Sequence, residues 1–347
     1  MIHSRTSSQS IGRRSAGRRI ALVGVGKQGR KLAEALAALG YEIVAGCDPN
    51  AASLKKFSAA HPDAVVTRKI SELARVSPEL VVVGTLADAH LPVIRELDTI
   101  GVKKIFCEKP VVSSIADLRD LQELVVKRGL EIAVNHSNLW NPDYQNVKEC
   151  IRSEPLGKLH RAKAHFKPAG FGNMGCHNLA VALHFLETRI SSVRSATFSK
   201  DGAKKRAAGH QDRNGRATFL LENGIELELD NLPAVVPRAW RVVFEFDRGR
   251  IELLEEASCC VVWNGAMGRI SEIPFQLRGY GLKKAPKTAY AVLDRTVSSL
   301  LDGEPVDSFG LACQAVEGII AAHHCFANAA PVSLPLKRET ETLFGFS

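Results

Sequence analysis

Nowhere in the 347 residues do about eighteen apolar residues run together, which argues against a membrane-spanning helix. Cysteine pairs at CxxC spacing are missing too: Cys47, Cys107, Cys150, Cys176, Cys259, Cys260, Cys313 and Cys325 are scattered along the chain. Scattered thiols speak against zinc ribbons and disulfide scaffolds and for reduced, mostly buried cysteines, so a cytoplasmic location is expected. No metal is expected either, because His323 and His324 point to different faces of a helix and Cys259 and Cys260 to opposite faces of a strand. The opening segment, residues 1–17, is basic and polar and lacks the separate apolar stretch of a cleavable leader; it reads as a disordered tail. Aromatic residues are few, and no basic helix with base-reading side chains is visible, so nucleic acid is not an expected partner. The net charge of +9 is spread over that tail and over Lys204, Lys205, Arg206, Lys283, Lys284 and Lys287, and suits phosphate-bearing small molecules.

What the chain does have is the composition of a globular protein, 45% hydrophobic and 24% charged, and a length that implies two domains. Residues 19 to 135 alternate short β-branched runs (RIALVGVG, YEIVAGCD, DAVVT, LVVVGT, KIFCE, EIAVN) with helical patterns (KQGRKLAEALAALG, HLPVIRELDTIG, SIADLRDLQELVVKRG). That alternation predicts a doubly wound parallel sheet covered on both faces, an α/β Rossmann domain over residues 18–138. Beyond Asn135 the pattern changes. A helix opened by Asn141 and Pro142, a strand LHRAKAHF, a glycine-punctuated loop and the helix HNLAVALHFLE lead into alternating runs from Val193 to Trp263. Asn223 and Gly224 mark a hairpin there. Two helices and a strand, PVSLPL, close the chain. Residues 139–347 are therefore expected to form an α+β domain with a largely antiparallel open sheet, and its uncovered face makes a homodimer or homotetramer the expected assembly.

Gly24, Gly26 and Gly29 form GxGxxG between the first strand and the first helix, and Asp48 ends the second strand about twenty residues on. The first glycine permits the turn, the second admits a pyrophosphate, and the third lets helix and strand pack. Asp48 would take the ribose hydroxyls and favours NAD; Lys27, with Gln28 inside the loop, leaves NADP open.

Four segments, GVGKQG, CDPN, VVVGTLADAH and FCEKP, resemble the glucose-fructose oxidoreductase and inositol dehydrogenase (Gfo/Idh/MocA) family, and the order of elements in the second half is similar as well. The resemblance implies that Lys109 of Glu108-Lys109-Pro110 lies beside the nicotinamide and the substrate hydroxyl, with Thr85 and His90 lining the cofactor alongside Glu108. A second family motif, DxGxH, is represented by Asn173, Gly175 and His177. His177 thereby takes the position of a catalytic histidine, and an imidazole can move protons near neutral pH. Asn173 departs from the pattern: an amide can orient a hydroxyl but cannot take its proton. Ala180 stands where many relatives carry another Asp, and His184 is either core packing or a substitute polar contact. At the crossover between domains, where relatives often carry an arginine near Leu139, His136, Asn138 and Trp140 are candidate substrate contacts, Trp140 having packing of the domain junction as its other reading. The loop from Phe166 to Asn173 is short, which suggests an open pocket for a bulky or phosphorylated substrate. The implied activity is hydride transfer between NAD(P) and a secondary alcohol or ketone of a sugar, polyol or sugar nucleotide. A cofactor-binding regulatory protein of the same fold is the alternative.

Overall fold

The computed structural model describes residues 17–136, 139, 142–153, 156–200, 204–205, 211–233, 240–254, 259–265, 269–274, 286–304, 306 and 308–342. Apart from Gly17, the expected tail lies outside the described residues, as do Asn138 and Trp140.

In chain order the elements are β1 (Arg19–Val23), α1 (Lys27–Ala38), β2 (Glu42–Cys47), α2 (Ala51–Ala60), β3 (Val65–Thr67), a 3-10 segment (Ile70–Val76), β4 (Leu80–Val83), α3 (Ala87–Thr99), β5 (Lys104–Cys107), α4 (Ile115–Arg128) and β6 (Glu131–Val134). There follow α5 (Pro142–Ser153), β7 (Leu159–His165), α6 (Phe171–Leu186), β8 (Ile190–Phe198), β9 (Lys204–Lys205), β10 (Gln211–Asp212), β11 (Gly215–Leu221), β12 (Glu226–Asp230), β13 (Arg241–Phe246), β14 (Gly249–Leu254), β15 (Cys259–Asn264) and β16 (Arg269–Pro274). The chain ends with α7 (Pro286–Asp302), α8 (Phe309–Asn328) and β17 (Val332–Ser333).

These elements form two compact units. The first takes the chain through Glu108, Leu121–Trp140 and Gly279–Asp307; the second takes Lys109–Asp120, Asn141–Arg278 and the segment from Ser308 on. In the first, six parallel strands run in the order β3-β2-β1-β4-β5-β6. The strand order reverses between β1 and β4, and at their carboxyl ends such sheets open a crevice for a ligand. Strands β1 and β4 are buried from Ile20 to Val23 and from Leu80 to Val83, as a sheet covered on both faces requires. Helix α2 was not anticipated: of its ten residues only Leu54 and Phe57 are buried, too few to show a period, while the Asn50 side chain accepts from Ala52 N and Ser53 N as its cap.

Helix α7 lies late in the sequence, where chain order would put it in the second domain, yet it belongs to the first unit. Its Leu293, Val297, Leu300 and Leu301 share one core with Leu32, Leu36, Leu80 and Phe106, and Tyr41 donates to Asp294 Oδ1 at 2.8 Å. The apolar period of α7 shows that it has a buried face; which surface that face covers is a long-range property, so the domain division is discontinuous where the sequence suggested one cut after residue 138.

The second unit is built on a nine-stranded sheet, β16-β15-β14-β13-β7-β12-β11-β8-β17, antiparallel except where β7 runs parallel to β12. Leu227 and Leu229, Ala217 and Phe219, and Ala162 and Ala164 are buried on one face. Alternate positions on the other face carry ion pairs: Arg161 with Glu226, Lys163 with Glu245, Arg216 with Asp230 and Arg241 with Glu252. Helix α8 is buried along Leu311 to Ala322, and its Glu317 pairs with Arg119 while also accepting from Leu336 N at 2.6 Å.

Candidate active site

In the first unit the three glycines have separate duties. Gly24 has φ +85°, and a Cβ there would lie 2.6 Å from Thr85 N; at Gly29 a Cβ would lie 1.9 Å from Gly24 O. A Cβ on Gly26 would meet nothing within 4 Å. Two glycines thus let the turn and the helix pack, and one keeps the space above the start of α1 clear. That helix start carries no side-chain cap and no acidic residue in its first turn, and Lys27 and Gln28 are exposed there. Free first-turn amides at the positive end of a helix dipole suit a pyrophosphate.

Asp48 is nearly buried at the end of β2, its Oδ2 accepting from Val25 N at 2.9 Å and its Oδ1 from Asn50 N at 2.8 Å. It clamps the glycine loop to β2, and each oxygen retains a lone pair for a hydroxyl. Beside Gly24 and Gly84, the hydroxyl of Thr85 is buried without a hydrogen-bond partner. An orphaned hydroxyl, a cleared helix start and a fixed carboxylate together fit a dinucleotide. We expect Gly29→Ala to destabilise the fold by about 1–3 kcal/mol through overpacking, whereas Gly26→Ala keeps the melting temperature but loses NAD affinity. Equal melting temperatures, or unchanged calorimetric NAD binding by Gly26→Ala, would contradict this division.

His90 has no exposed surface: its Nε2 lies 3.2 Å from Thr85 O and its Nδ1 3.4 Å from Cys107 Sγ. Its ring ties the Thr85 loop to β5. Glu108 is also largely buried, its Oε1 accepting from Asn135 Nδ2 at 2.8 Å, so it braces the ends of β5 and β6. His136 is buried at the end of β6, and Leu139 sits in the core.

Lys109 follows directly on Glu108, whose amide still pairs with Val83 O at 2.9 Å. In the second unit the half-buried Lys109 ammonium donates to Asn173 Oδ1 at 2.6 Å. An ammonium can only donate, so the Asn173 carbonyl faces it and the amide NH2 points elsewhere. Asn173 and His177, four residues apart, share one face of α6, and both are partly accessible while Gly172, Gly175 and Cys176 are buried. Ala180 lies in the core. His184, mostly buried against Phe185, is pushed down to about 4 by its burial and then by Lys148, which keeps it neutral near pH 7.

One functional-looking group was missed by sequence reasoning. Asp212, fully buried, accepts from Gly172 N at 2.7 Å and Asn173 N at 3.0 Å, so a carboxylate from β10 caps α6. Nearby, Asn214 Oδ1 accepts from Gly170 N at 3.1 Å. The only signal was a polar cluster, QDRNG, ahead of a strand; nothing in its spacing tied it to a helix forty residues earlier.

Residues 18–136 match the model of the GFO_IDH_MocA family, described as an oxidoreductase family with an NAD-binding Rossmann fold. An uncharacterized oxidoreductase of Schizosaccharomyces pombe is 30% identical over 112 residues, 32% of this chain and 30% of that protein. The 1-carboxy-3-chloro-3,4-dihydroxycyclo hexa-1,5-diene dehydrogenase of Comamonas testosteroni is 29% identical over 227 residues, 60% of this chain and 56% of that protein. The chain thus spans less than two thirds of the length of these curated relatives. Among solved structures, an oxidoreductase from Agrobacterium radiobacter in complex with NAD+, L-tartaric acid and magnesium superposes with a TM-score of 0.77 at 16% identity. That superposition covers 92% of this chain and 98% of the other, a likeness of fold.

Proposed function

We propose that this chain, whose residues 18–136 match the model of a family of NAD-binding oxidoreductases, is an NAD-dependent dehydrogenase or reductase interconverting a secondary alcohol and its ketone on a sugar-like or polyol-like small molecule. The observation that carries this reading is the Lys109 ammonium held at 2.6 Å by Asn173, with His177 one turn along the same helix face. Relatives named for a dihydroxylated ring and crystallised with tartaric acid support a polyhydroxylated substrate.

Cofactor binding falls to the residues of the first unit. The start of α1, with Lys27 beside it, would hold the pyrophosphate. Asp48 would hold the ribose hydroxyls and, as a fixed anion, repel a 2′-phosphate, which favours NAD over NADP. The Thr85 hydroxyl would gain the partner it lacks. The nicotinamide, when bound, supplies the acceptor or donor of the hydride. At the substrate, Lys109 hydrogen-bonds the reacting oxygen and stabilises the negative charge that grows on it as its proton leaves during oxidation, or as the C–H bond forms during reduction. His177 takes the hydroxyl proton during oxidation and returns it during reduction. Asn173 positions Lys109 and can donate through its NH2 to a neighbouring substrate oxygen. Buried free thiols at Cys47, Cys107, Cys176, Cys313 and Cys325 suit a reducing, cytoplasmic setting. The ion-paired outer face of the nine-stranded sheet is the surface through which two or four copies would associate.

Cofactor absorbance followed across sugars, inositols, sugar nucleotides, tartrate and cyclic dihydrodiols tests the reading. Turnover with at least one, and preference for NAD, is expected. Calorimetric NAD binding without turnover of any member would replace it by the regulatory alternative.

A further inference from the structure

Asp212 comes from β10, is fully buried, and spends one oxygen on each of two first-turn amides of α6, Gly172 N and Asn173 N. Asn173 is consequently gripped twice, by its main-chain amide from Asp212 and by its side-chain carbonyl from Lys109. The entry of the carboxylate shapes the loop as well: Gly170 has φ +95°, and a Cβ there would lie 2.1 Å from Asp212 Oδ2. Behind Asp212 the backbone is locked, since Asn231 Nδ2 donates to Asn214 Oδ1 at 3.1 Å and Asn231 Oδ1 accepts from Gly215 N at 2.7 Å. The thiol of Cys176 senses both charges. Burial pushes it up to about 11, Lys109 pulls it back, and Asp212 adds to the rise, so the two ions act on one buried point from opposite signs.

A buried carboxylate is tolerable only where donors and positive charge surround it, and here the donors are the amides at the positive end of α6. In so dry a spot its hold on those amides is stronger than on a surface helix. We propose that Asp212 is a positioning residue of the active site: reaching from β10, it holds the main-chain amide of Asn173 and so fixes that residue against the Lys109 ammonium. This rests on the reading of Lys109 as the group that holds the substrate hydroxyl.

Two variants, Asp212→Asn and Asp212→Ala, test it with two independent readouts. The first needs no substrate: limited acetylation of the holoprotein by acetic anhydride, with the labelling of Lys109 measured by peptide mass spectrometry against the exposed Lys55 and Lys56 of α2. Asp212→Asn keeps the side-chain shape but turns an NH2 toward a backbone N–H, so it loosens Asn173 without opening a cavity. Both variants are expected to raise Lys109 labelling severalfold while leaving the reference lysines unchanged, which a general loss of structure would not do. The second readout is steady-state turnover of the best panel substrate, where kcat is expected to fall about 10- to 100-fold through misplacement with KM for NAD unchanged. Unaltered Lys109 labelling in both variants, or unaltered kcat, overturns the proposal. If the wild-type protein turns over nothing, the dehydrogenase reading fails by itself, and the labelling still decides whether Asp212 holds the pair.

Discussion

Replacing Lys109 by methionine is expected to lower kcat by about 10³-fold, the scale of losing a charged hydrogen-bond donor that stabilises the reacting oxygen, while NAD binding survives. The two effects separate because different residues carry them. On the proposed reading NAD recognition would rest on the cleared start of α1, on Asp48 clamped by Val25 N and Asn50 N, and on Thr85. Lys109 instead holds Asn173. Methionine preserves the length and apolar stem of the side chain and removes only the ammonium, so the amide of Asn173 loses a donor at 2.6 Å but the helix keeps its Asp212 cap. Stopped assays with each panel substrate, paired with calorimetric titration of NAD, check the outcome. A variant that retains more than about a tenth of wild-type kcat would remove Lys109 from the chemistry and leave the fold as the sole basis for the assignment. A variant that loses NAD binding as well would mean that the lysine serves the cofactor.

The parallel sheet and its glycine loop were legible because they depend on local patterns. Consecutive apolar residues such as Leu80 to Val83 signal a strand buried on both faces, and Gly24, Gly26 and Gly29 fall where strand gives way to helix. Lys109, Asn173 and His177 were legible through a motif resemblance, and the structure brings Lys109 and Asn173 together. What the sequence hid was long-range. The apolar stripe of α7 looks the same whichever sheet it covers, and its return to Leu32 and Leu36 of α1 follows from surface complementarity between segments more than 250 residues apart. Asp212 was hidden for the same reason: its partners are main-chain amides, which every residue possesses, so no residue type marks them. A motif fixes a residue's place in the chain but not the direction of its ring, and that of His90 meets Thr85 O and Cys107 Sγ.

Acid sensitivity should follow from two histidines in the second unit. Burial, helped by His324 and Arg213, pushes His323 down to about 3; burial, helped by Lys148 and Arg152 against Glu187, pushes His184 down to about 4. His323 stacks on Phe198 with ring centroids 4.1 Å apart and meets Phe171 edge-on, surroundings that solvate an imidazolium poorly. In the unfolded chain both rings take a proton near their ordinary value, about 6.5. Between that value and the folded one the unfolded state binds more protons, so stability is complete above about pH 6.5 and declines as pH falls toward 4 for His184 and 3 for His323. At roughly 1.4 kcal/mol per pH unit for each ring, the loss reaches about 3 kcal/mol from His184 and about 5 kcal/mol from His323 at their lower ends. Carboxylates held low by their partners, such as Asp98 beside Lys103 and Glu187 beside Arg152, contribute only nearer their own range, so the slope between about pH 6.5 and 5 belongs to the imidazoles. Urea unfolding followed at several pH values in that window should show the wild type losing stability with a slope that approaches at least two protons at about pH 5, with His61, also held low by its burial, adding to it. His323→Met, whatever its absolute stability, should lose about one of those protons from the slope. Parallel slopes for the two proteins would mean that His323 is protonated in the folded state as readily as in the unfolded one, and that its aromatic cage is open to water.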